Sequence, residues 1–132
     1  MLTGVPYFAV DDVWKEVEPF IARCLDKSRE HRYLSQDIRE MLTSSDAQLW
    51  IQGWPEIDGV VVTQIQVFPR AKECVVFMAC GKLADDWEET LATLTEGARK
   101  LGCTHASAYT RPGFVKMLKQ WNQRQTYIVK EL

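Results

Sequence analysis

The sequence predicts an α/β protein of the α+β type, in which a mixed, mostly antiparallel central sheet has helices on both faces. Strand patterns follow one another at residues 48–52, 61–68 and 74–80 with only turn segments between them, which indicates antiparallel hairpins. Residues 74–80 read CVVFMAC, a nearly unbroken apolar run typical of a strand covered on both faces. An amphipathic helix and a short strand come next, a crossover that usually joins parallel neighbours.

Length and composition predict a single domain over residues 1–132. The chain has 132 residues, of which 46% are hydrophobic, enough for one compact core. Neither a leader pattern nor an apolar run approaching the roughly 18 residues of a membrane span is visible. The four cysteines lack CxxC spacing, and neither histidine stands at metal-ligand spacing from a cysteine. We therefore expect a cytoplasmic protein with reduced, buried thiols and no metal site.

Two helices are predicted before the hairpins. Asp11 is a suitable N-cap for the first, and Pro19 is expected to kink it or split it in two. The charged residues 27–34 are predicted to form a loop, after which Ser35 is the expected N-cap of the second helix. The apolar face of the first helix comprises Val13, Val17, Phe20, Ile21 and Cys24.

The hairpin region is predicted from alternation and turn signals. Residues 48–52 alternate around Trp50, and the following strand is apolar on both faces, so we expect it to be central. A turn at 54–59 precedes that strand and another at 69–73 follows it. Trp50 and Trp54 fit either a binding groove or the edge of the core, and we favour the core for most tryptophans here.

The helix after the hairpins has the clearest pattern in the chain. Asp86 and Glu89 have the spacing of a capping box, and Gly102 is the expected end of the helix. The predicted stripe that packs on the sheet comprises Trp87, Leu91, Leu94, Ala98 and Leu101.

Three further elements are predicted near the C-terminus. Residues 103–109 form a short strand, and Thr110 caps a final helix with Pro112 in its first turn. Residues 126–129 are predicted to supply a closing strand.

Three segments carry a family resemblance. ECVVFMACG (73–81), DDWEETLATLTEGARKLGC (85–103) and SAYTRPGFVKMLKQW (107–121) follow one another as strand, helix, strand and helix. In this order the chain resembles the GNAT N-acetyltransferases over essentially its whole length, and most closely the short divergent GNAT-like proteins of tailed phages and prophages. The resemblance implies acetyl-CoA, or another acyl-CoA, as cofactor and an amine of a small molecule or a protein as acceptor.

The resemblance also implies which residues form the site. Many members use a tyrosine as the acid for the leaving thiolate, and Tyr109 and Tyr127 are the nearest phenols by sequence, of which we choose Tyr109. Glu73, Glu56 and His105 are candidate bases by position alone, of which we choose Glu73. The residues implied to hold the cofactor's pantetheine and pyrophosphate are Met78, Ala79, Cys80, Gly81, Lys82, Ala84 and Arg111.

The chain departs from the family pattern in its pyrophosphate loop. The family has Gln or Arg, two residues, Gly, one residue, then Gly or Ala, whereas this chain has Gly81 alone followed by Asp85 and Asp86. Two carboxylates at a helix start repel a diphosphate. Leu118 and Lys119 occupy the region where many members place a tyrosine.

Three functions therefore stay open. The first is acyl transfer from acyl-CoA to an amine. The second is a non-catalytic GNAT-fold protein with a binding or structural role. Such a protein could be oligomeric or part of a virion, and for a phage-encoded chain the location would be the host cytoplasm or the virion. The third is nucleic-acid binding through a basic C-terminal third, which we do not expect because the helix dipole accounts for these charges.

Overall fold

The computed structural model describes residues 1–28, 31–83, 87–110 and 120–132, with Trp87 described by its backbone. The elements in chain order are β1 (Leu2–Val5), a 3-10 turn (Tyr7–Ala9), α1 (Val10–Asp26), α2 (Ser35–Thr43), β2 (Gln48–Gln52), β3 (Gly59–Phe68), β4 (Ala71–Gly81), α3 (Trp87–Lys100) and β5 (His105–Ala108).

The described strands form one mixed sheet in the order β1-β2-β3-β4-β5. Pairs β1–β2, β2–β3 and β3–β4 are antiparallel, and β4–β5 is parallel. The predicted fold class is confirmed, with β3 at the centre. β1 is not among the predicted strands, because Gly4 and Pro6 weaken any strand pattern in a segment so short.

Helices cover both faces of this sheet. Neighbouring residues of β3 point to opposite sides, so Val60 and Val62 pack beneath α1 and α2, whereas Val61 packs with Leu94 of α3. Leu94 is only 2% exposed, which confirms the predicted stripe, but Leu101 is 44% exposed. Including Leu101 in the stripe is wrong because α3 ends at Lys100, one residue before it.

α1 is one helix that continues through Pro19. The predicted split is wrong because Val17 and Ile21, on either side of the proline, are fully buried. Their contact with the sheet outweighs the roughly 3 kcal/mol that an internal proline costs a helix. Asp11 lies in the first turn, not at the N-cap, and pairs with Arg39 of α2 at 2.9 Å.

The start of α2 also differs from the prediction. Leu34 is the N-cap in place of Ser35, and its N–H donates to the Asp37 carboxylate at 2.8 Å. The carboxylate three residues on thus stabilises this helix start.

The strand predicted at 126–129 is absent, since residues 120–132 have no regular secondary structure. Tyr127 instead makes side-chain contacts: Arg32 donates to its hydroxyl at 2.8 Å. The predicted capping residue Asp86 and the body of the final helix, residues 111–119, lie outside the described residues.

Candidate functional site

A β-bulge in β4 changes which face its side chains occupy. Val62 pairs with Met78 but Thr63 pairs with Val76, so Phe77 is an extra residue on β4. Before the bulge, Val76 packs on the α3 side; after it, Met78 and Cys80 pack on the α1 side. The bulge therefore turns the second half of β4 toward α1.

A cleft begins at the same point. The β4–β5 pairing extends from Glu73↔His105 to Val76↔Ala108 and stops there, immediately before Phe77. Beyond it, residues 77–81 of β4 line a cleft of about 890 Å³ whose other walls come from α1, the β2–β3 turn and the residues after β5. The volume lies within the range of about 300–1,000 Å³ usual for small-molecule sites. Among the described strands, none pairs with this part of β4 on the side that faces β5.

The charge around the cleft is mainly positive. Among the described residues that line it, Arg23 of α1, Lys27 directly after α1 and Lys82 after β4 are cationic, and Asp58 is acidic. Arg23 lies against the Phe20 ring, 5.1 Å from its centroid, and its Nε donates to the Pro19 carbonyl. The cleft thus combines apolar walls with three cations, a composition that suits a ligand with an apolar arm and phosphates.

Gly81 is required by the packing of two backbone segments. Its φ is 89°, and a Cβ there would collide with the Asp58 carbonyl and lie 2.9 Å from the Gly59 Cα. The next residue holds the same contact, since the Lys82 N–H donates to the Asp58 carbonyl at 2.8 Å. A side chain at Gly81 therefore disturbs the fold whether or not a ligand binds nearby.

The structure brings five of the predicted cofactor residues to the cleft. Their positions along β4 and just after it put all five on one wall. These residues are Met78, Ala79, Cys80, Gly81 and Lys82. Ala84 and Arg111, the other two, lie outside the described residues.

Tyr109, the predicted acid, also lines the cleft. Its side chain is 76% exposed, and its ring makes an edge contact with Tyr127 at 6.4 Å between centroids. Tyr109 and Tyr127, the two candidate acids, are therefore adjacent at the mouth of the cleft.

Glu73, the predicted base, lies elsewhere. It is five residues before Met78 on β4, about 16 Å away at the usual strand rise. Its carboxylate accepts a hydrogen bond from the Ser107 hydroxyl at 2.9 Å. The structure does not bring Glu73 into the cleft lining, nor His105 or Glu56, the two alternatives.

The cysteines divide into two groups. All four are free thiols; Cys74 and Cys80 are buried, but Cys24 and Cys103 are partly exposed, so burial was wrongly expected for these two. Cys24 of α1 and Cys80 of β4 are hydrogen-bonded to each other in the cleft wall. That bond lowers the pKa of Cys24 to about 7, with help from Lys27 and the Ala79 N–H against the opposing effect of burial.

The contribution of α1 to the site is not among the sequence predictions. Phe20, Arg23, Cys24 and Lys27 read in the sequence as parts of an amphipathic helix, and only the fold places them opposite β4. The one available signal is that the sequence places aromatic, basic and thiol groups together on the last turns of a helix.

The tryptophans follow the favoured interpretation in part. Trp50 is buried and donates from Nε1 to the Thr63 hydroxyl at 3.0 Å, so it is a core residue. Trp54 is 65% exposed and precedes a cis peptide bond to Pro55.

The described residues contain neither a metal-binding cluster nor a membrane-spanning helix. There, no cluster of three histidine, cysteine, aspartate or glutamate side chains is arranged to hold a metal ion. Nor does any helix in these ranges have the length and apolar character needed to span a membrane.

Comparison with known proteins supplies structural neighbours only. No protein-family model matches the sequence, and no curated protein matches it. Among solved structures, a GNAT family acetyltransferase from Staphylococcus aureus is similar at a TM-score of 0.68 with 10% identity, over 100% of this chain and 98% of that one.

Two other similar structures carry more specific descriptions. A ribosomal-protein-alanine N-acetyltransferase from Brucella melitensis has a TM-score of 0.71 and 10% identity, over 99% and 98% of the two chains. An aminoglycoside acetyltransferase from an uncultured soil metagenomic sample, solved with sisomicin, has a TM-score of 0.71 and 7% identity, over 100% and 95%. The TM-scores are evidence of a shared fold, and at identities this low they are evidence of the fold alone. The chain has the fold of the GNAT acetyltransferases.

Proposed function

We propose that the protein binds an acyl-CoA along the second half of β4 and transfers its acyl group to an amine. The observation that carries this proposal is the cleft that opens where β4 and β5 part at the Phe77 bulge. Pantetheine is a slender arm with two amides, and amides pair with main-chain groups of an unpartnered strand segment as another strand would.

The cations of the cleft support the same ligand. Arg23 and Lys27 lie on either side of Cys24 in the sequence and line the cleft, and Lys82 follows β4 directly. Guanidinium and ammonium groups bind phosphate oxygens through charge-assisted hydrogen bonds. In this proposal the pyrophosphate is bound mainly by these side-chain cations. The backbone N–H groups of the loop contribute less, because the loop lacks the second glycine of the family pattern.

Tyr109 supplies the acid in the proposed reaction. When bound, the acyl-CoA provides a thioester carbonyl for attack by the amine, and the sulfur that leaves needs a proton. The Tyr109 hydroxyl is exposed at the cleft mouth and is free to approach such a sulfur. Glu73 stays a predicted base, although its carboxylate accepts a hydrogen bond from Ser107. The Glu73→Gln variant tests this role separately from that of Tyr109.

The binding step is tested by calorimetric titration with acetyl-CoA and with CoA. Lys27→Ala removes a cleft cation at the end of α1, and Lys15→Ala removes an exposed lysine within α1 that does not line the cleft. We expect binding in the micromolar range, weakened about fivefold by Lys27→Ala and unchanged by Lys15→Ala. Absence of heat at millimolar ligand contradicts the proposal.

The chemical step is tested by release of the CoA thiol in the presence of a panel of amines. The panel includes polyamines, aminoglycosides and peptides with a free N-terminus, because the acceptor is open. Tyr109→Phe is expected to lower the turnover number with little change in acetyl-CoA affinity. Equal turnover in the two proteins removes Tyr109 from the reaction.

A second candidate function is a GNAT-fold binding or structural protein without catalysis, such as a virion component. Gly81 favours it, because the contact with Asp58 and Gly59 explains this glycine without any cofactor. This alternative predicts no CoA binding at millimolar ligand, and the native mass of the purified protein then shows whether the chain associates with itself.

A further inference from the structure

Two thiols from distant parts of the sequence meet in the wall of the cleft. Cys24 lies in the last turns of α1, and Cys80 is the residue before the end of β4. The Cys24 side chain packs against the core cluster that contains Cys80, both are free thiols, and both line the cleft. The proposed acyl transfer gives the two thiols no chemical step, although Cys80 is among the residues predicted to hold the cofactor.

The two thiols differ in access and in protonation. Cys80 is 6% exposed, and its pKa is raised by the bond to Cys24 and by burial. Cys24 is partly exposed, and its lowered pKa makes it substantially thiolate at neutral pH. An accessible thiolate beside a protonated partner is the arrangement of an attacking and a resolving cysteine.

The charges that face the pair favour the thiolate. Arg23 of α1, Lys27 directly after α1 and Lys82 after β4 are cationic, and Asp58 of the β2–β3 turn is acidic. Lys27 is the cation whose charge acts directly on Cys24. The surroundings of Cys24 are therefore electropositive, as at reactive cysteines generally.

We propose that Cys24 and Cys80 form a redox-active dithiol, in which the Cys24 thiolate reacts with a peroxide and Cys80 converts the product to an intramolecular disulfide. The reaction has two steps. The Cys24 sulfur attacks one oxygen of hydrogen peroxide and the O–O bond breaks. The attacked oxygen stays on Cys24 as a sulfenic acid, and the other oxygen leaves as hydroxide. The Cys80 sulfur then attacks the Cys24 sulfur and gives up its proton, the S–O bond breaks and water leaves. The peroxide gains the two electrons that the thiols lose.

The disulfide joins the end of α1 to the second half of β4 across one wall of the cleft. This site does not depend on the proposed acyl transfer, because both thiols are in place without a ligand. Its tests accordingly read the chemistry of the thiols and not CoA binding, so the two proposals stand or fall separately.

The other two cysteines provide an internal control. Cys74 is buried with a raised pKa, chiefly because of burial, and Cys103 is partly exposed. Neither lines the cleft. They measure the reactivity of thiols in the same chain without the cleft environment.

The experiment treats the reduced protein with hydrogen peroxide at neutral pH, blocks remaining thiols with an alkylating reagent and maps peptides by mass spectrometry. We expect loss of two alkylatable thiols and a 24–80 disulfide, both in the wild type and in Cys103→Ser. Cys24→Ser is expected to keep all its thiols at the same dose. Cys80→Ser is expected to stop at a sulfenic acid on Cys24, trapped by dimedone.

Each contrary result overturns the proposal. If both cleft thiols can still be alkylated after peroxide treatment, Cys24 is an ordinary thiol. The same follows if Cys103 is oxidised as fast as Cys24. A Cys80→Ser protein without a dimedone adduct does the same if its circular dichroism shows it folded. Should Cys80→Ser not fold, the wild-type disulfide map and the partly exposed Cys24→Ser variant decide the matter.

Discussion

Truncation of Leu94 tests how α3 is attached to the sheet. Leu94 is 2% exposed and lies in a cluster with Trp50, Val61 and Val76. Replacing it by alanine removes three methylene-sized groups, about 2.4 kcal/mol of transfer free energy at roughly 0.8 kcal/mol each. An unrelaxed cavity adds up to about 2 kcal/mol, so we expect a loss of about 2–4 kcal/mol in the free energy of unfolding.

The collapse of this site is limited by its neighbours. Trp50 is held by the hydrogen bond from its Nε1 to Thr63, and Thr63 in turn donates to Gln48 at 3.0 Å. An indole fixed in this way cannot move far into the space left by Leu94. This favours the upper part of the expected range.

The assay is urea unfolding followed by circular dichroism, with Leu101→Ala as the matched control. Leu101 follows α3 directly but is 44% exposed, so its truncation is expected to cost less than about 1 kcal/mol. A loss below about 1 kcal/mol for Leu94→Ala, or equal losses for both variants at unchanged m-value, refutes the packing of α3 derived from this structure.

Three other predictions concern a buried hydroxyl, a glycine and a thiol. Thr63→Val leaves the buried Nε1 of Trp50 without its acceptor and is expected to cost about 1–3 kcal/mol in urea unfolding; a loss under about 0.5 kcal/mol contradicts this. Gly81→Ala is expected to destabilise the protein even without ligand, because the new Cβ meets the Asp58 carbonyl, and an unchanged melting temperature argues against that contact. Since the pKa of Cys24 falls from 9.0 to about 7 on folding, the unfolded chain holds more protons between these values, and stability relative to Cys24→Ser should rise from pH 7 to 8.5. A difference between the two proteins that stays constant with pH contradicts the lowered pKa.

The sequence predicts most of the sheet because its signals there are local. Alternation around Trp50 and the apolar run at 74–80 each lie within one element and were confirmed. The stripe through Leu94 was confirmed except for Leu101, which lies beyond the end of α3. The parallel placement of β5 followed from the length of the crossover. These are features that a period of two or of 3.6 residues specifies without knowledge of the partner.

The bulge and the α1 wall escaped prediction for the same physical reason. Cys74, Val76, Met78 and Cys80 look like one face of a regular strand, and only the pairing with β3 shows that Phe77 interrupts it. The approach of Cys24 to Cys80 likewise depends on where α1 packs on the sheet. Long-range packing decided both, and the sequence carries no periodic signal for it.

Proline and the chain end show local rules overruled by tertiary contacts. Pro19 is tolerated because Val17 and Ile21 fix α1 on the sheet. The apolar residues around Tyr127 do not pair as a strand, and Tyr127 contacts Arg32 and Tyr109 through its side chain. Propensity is a weak guide wherever such contacts compete with it.

Hydrogen–deuterium exchange with and without acetyl-CoA shows whether a ligand lies along β4 beyond the bulge. We expect slower exchange at residues 77–81 on addition of ligand, with residues 73–76 unchanged because β5 already pairs with them. Equal slowing in both halves of β4, or no slowing at 77–81 with saturating ligand, contradicts the proposed binding site.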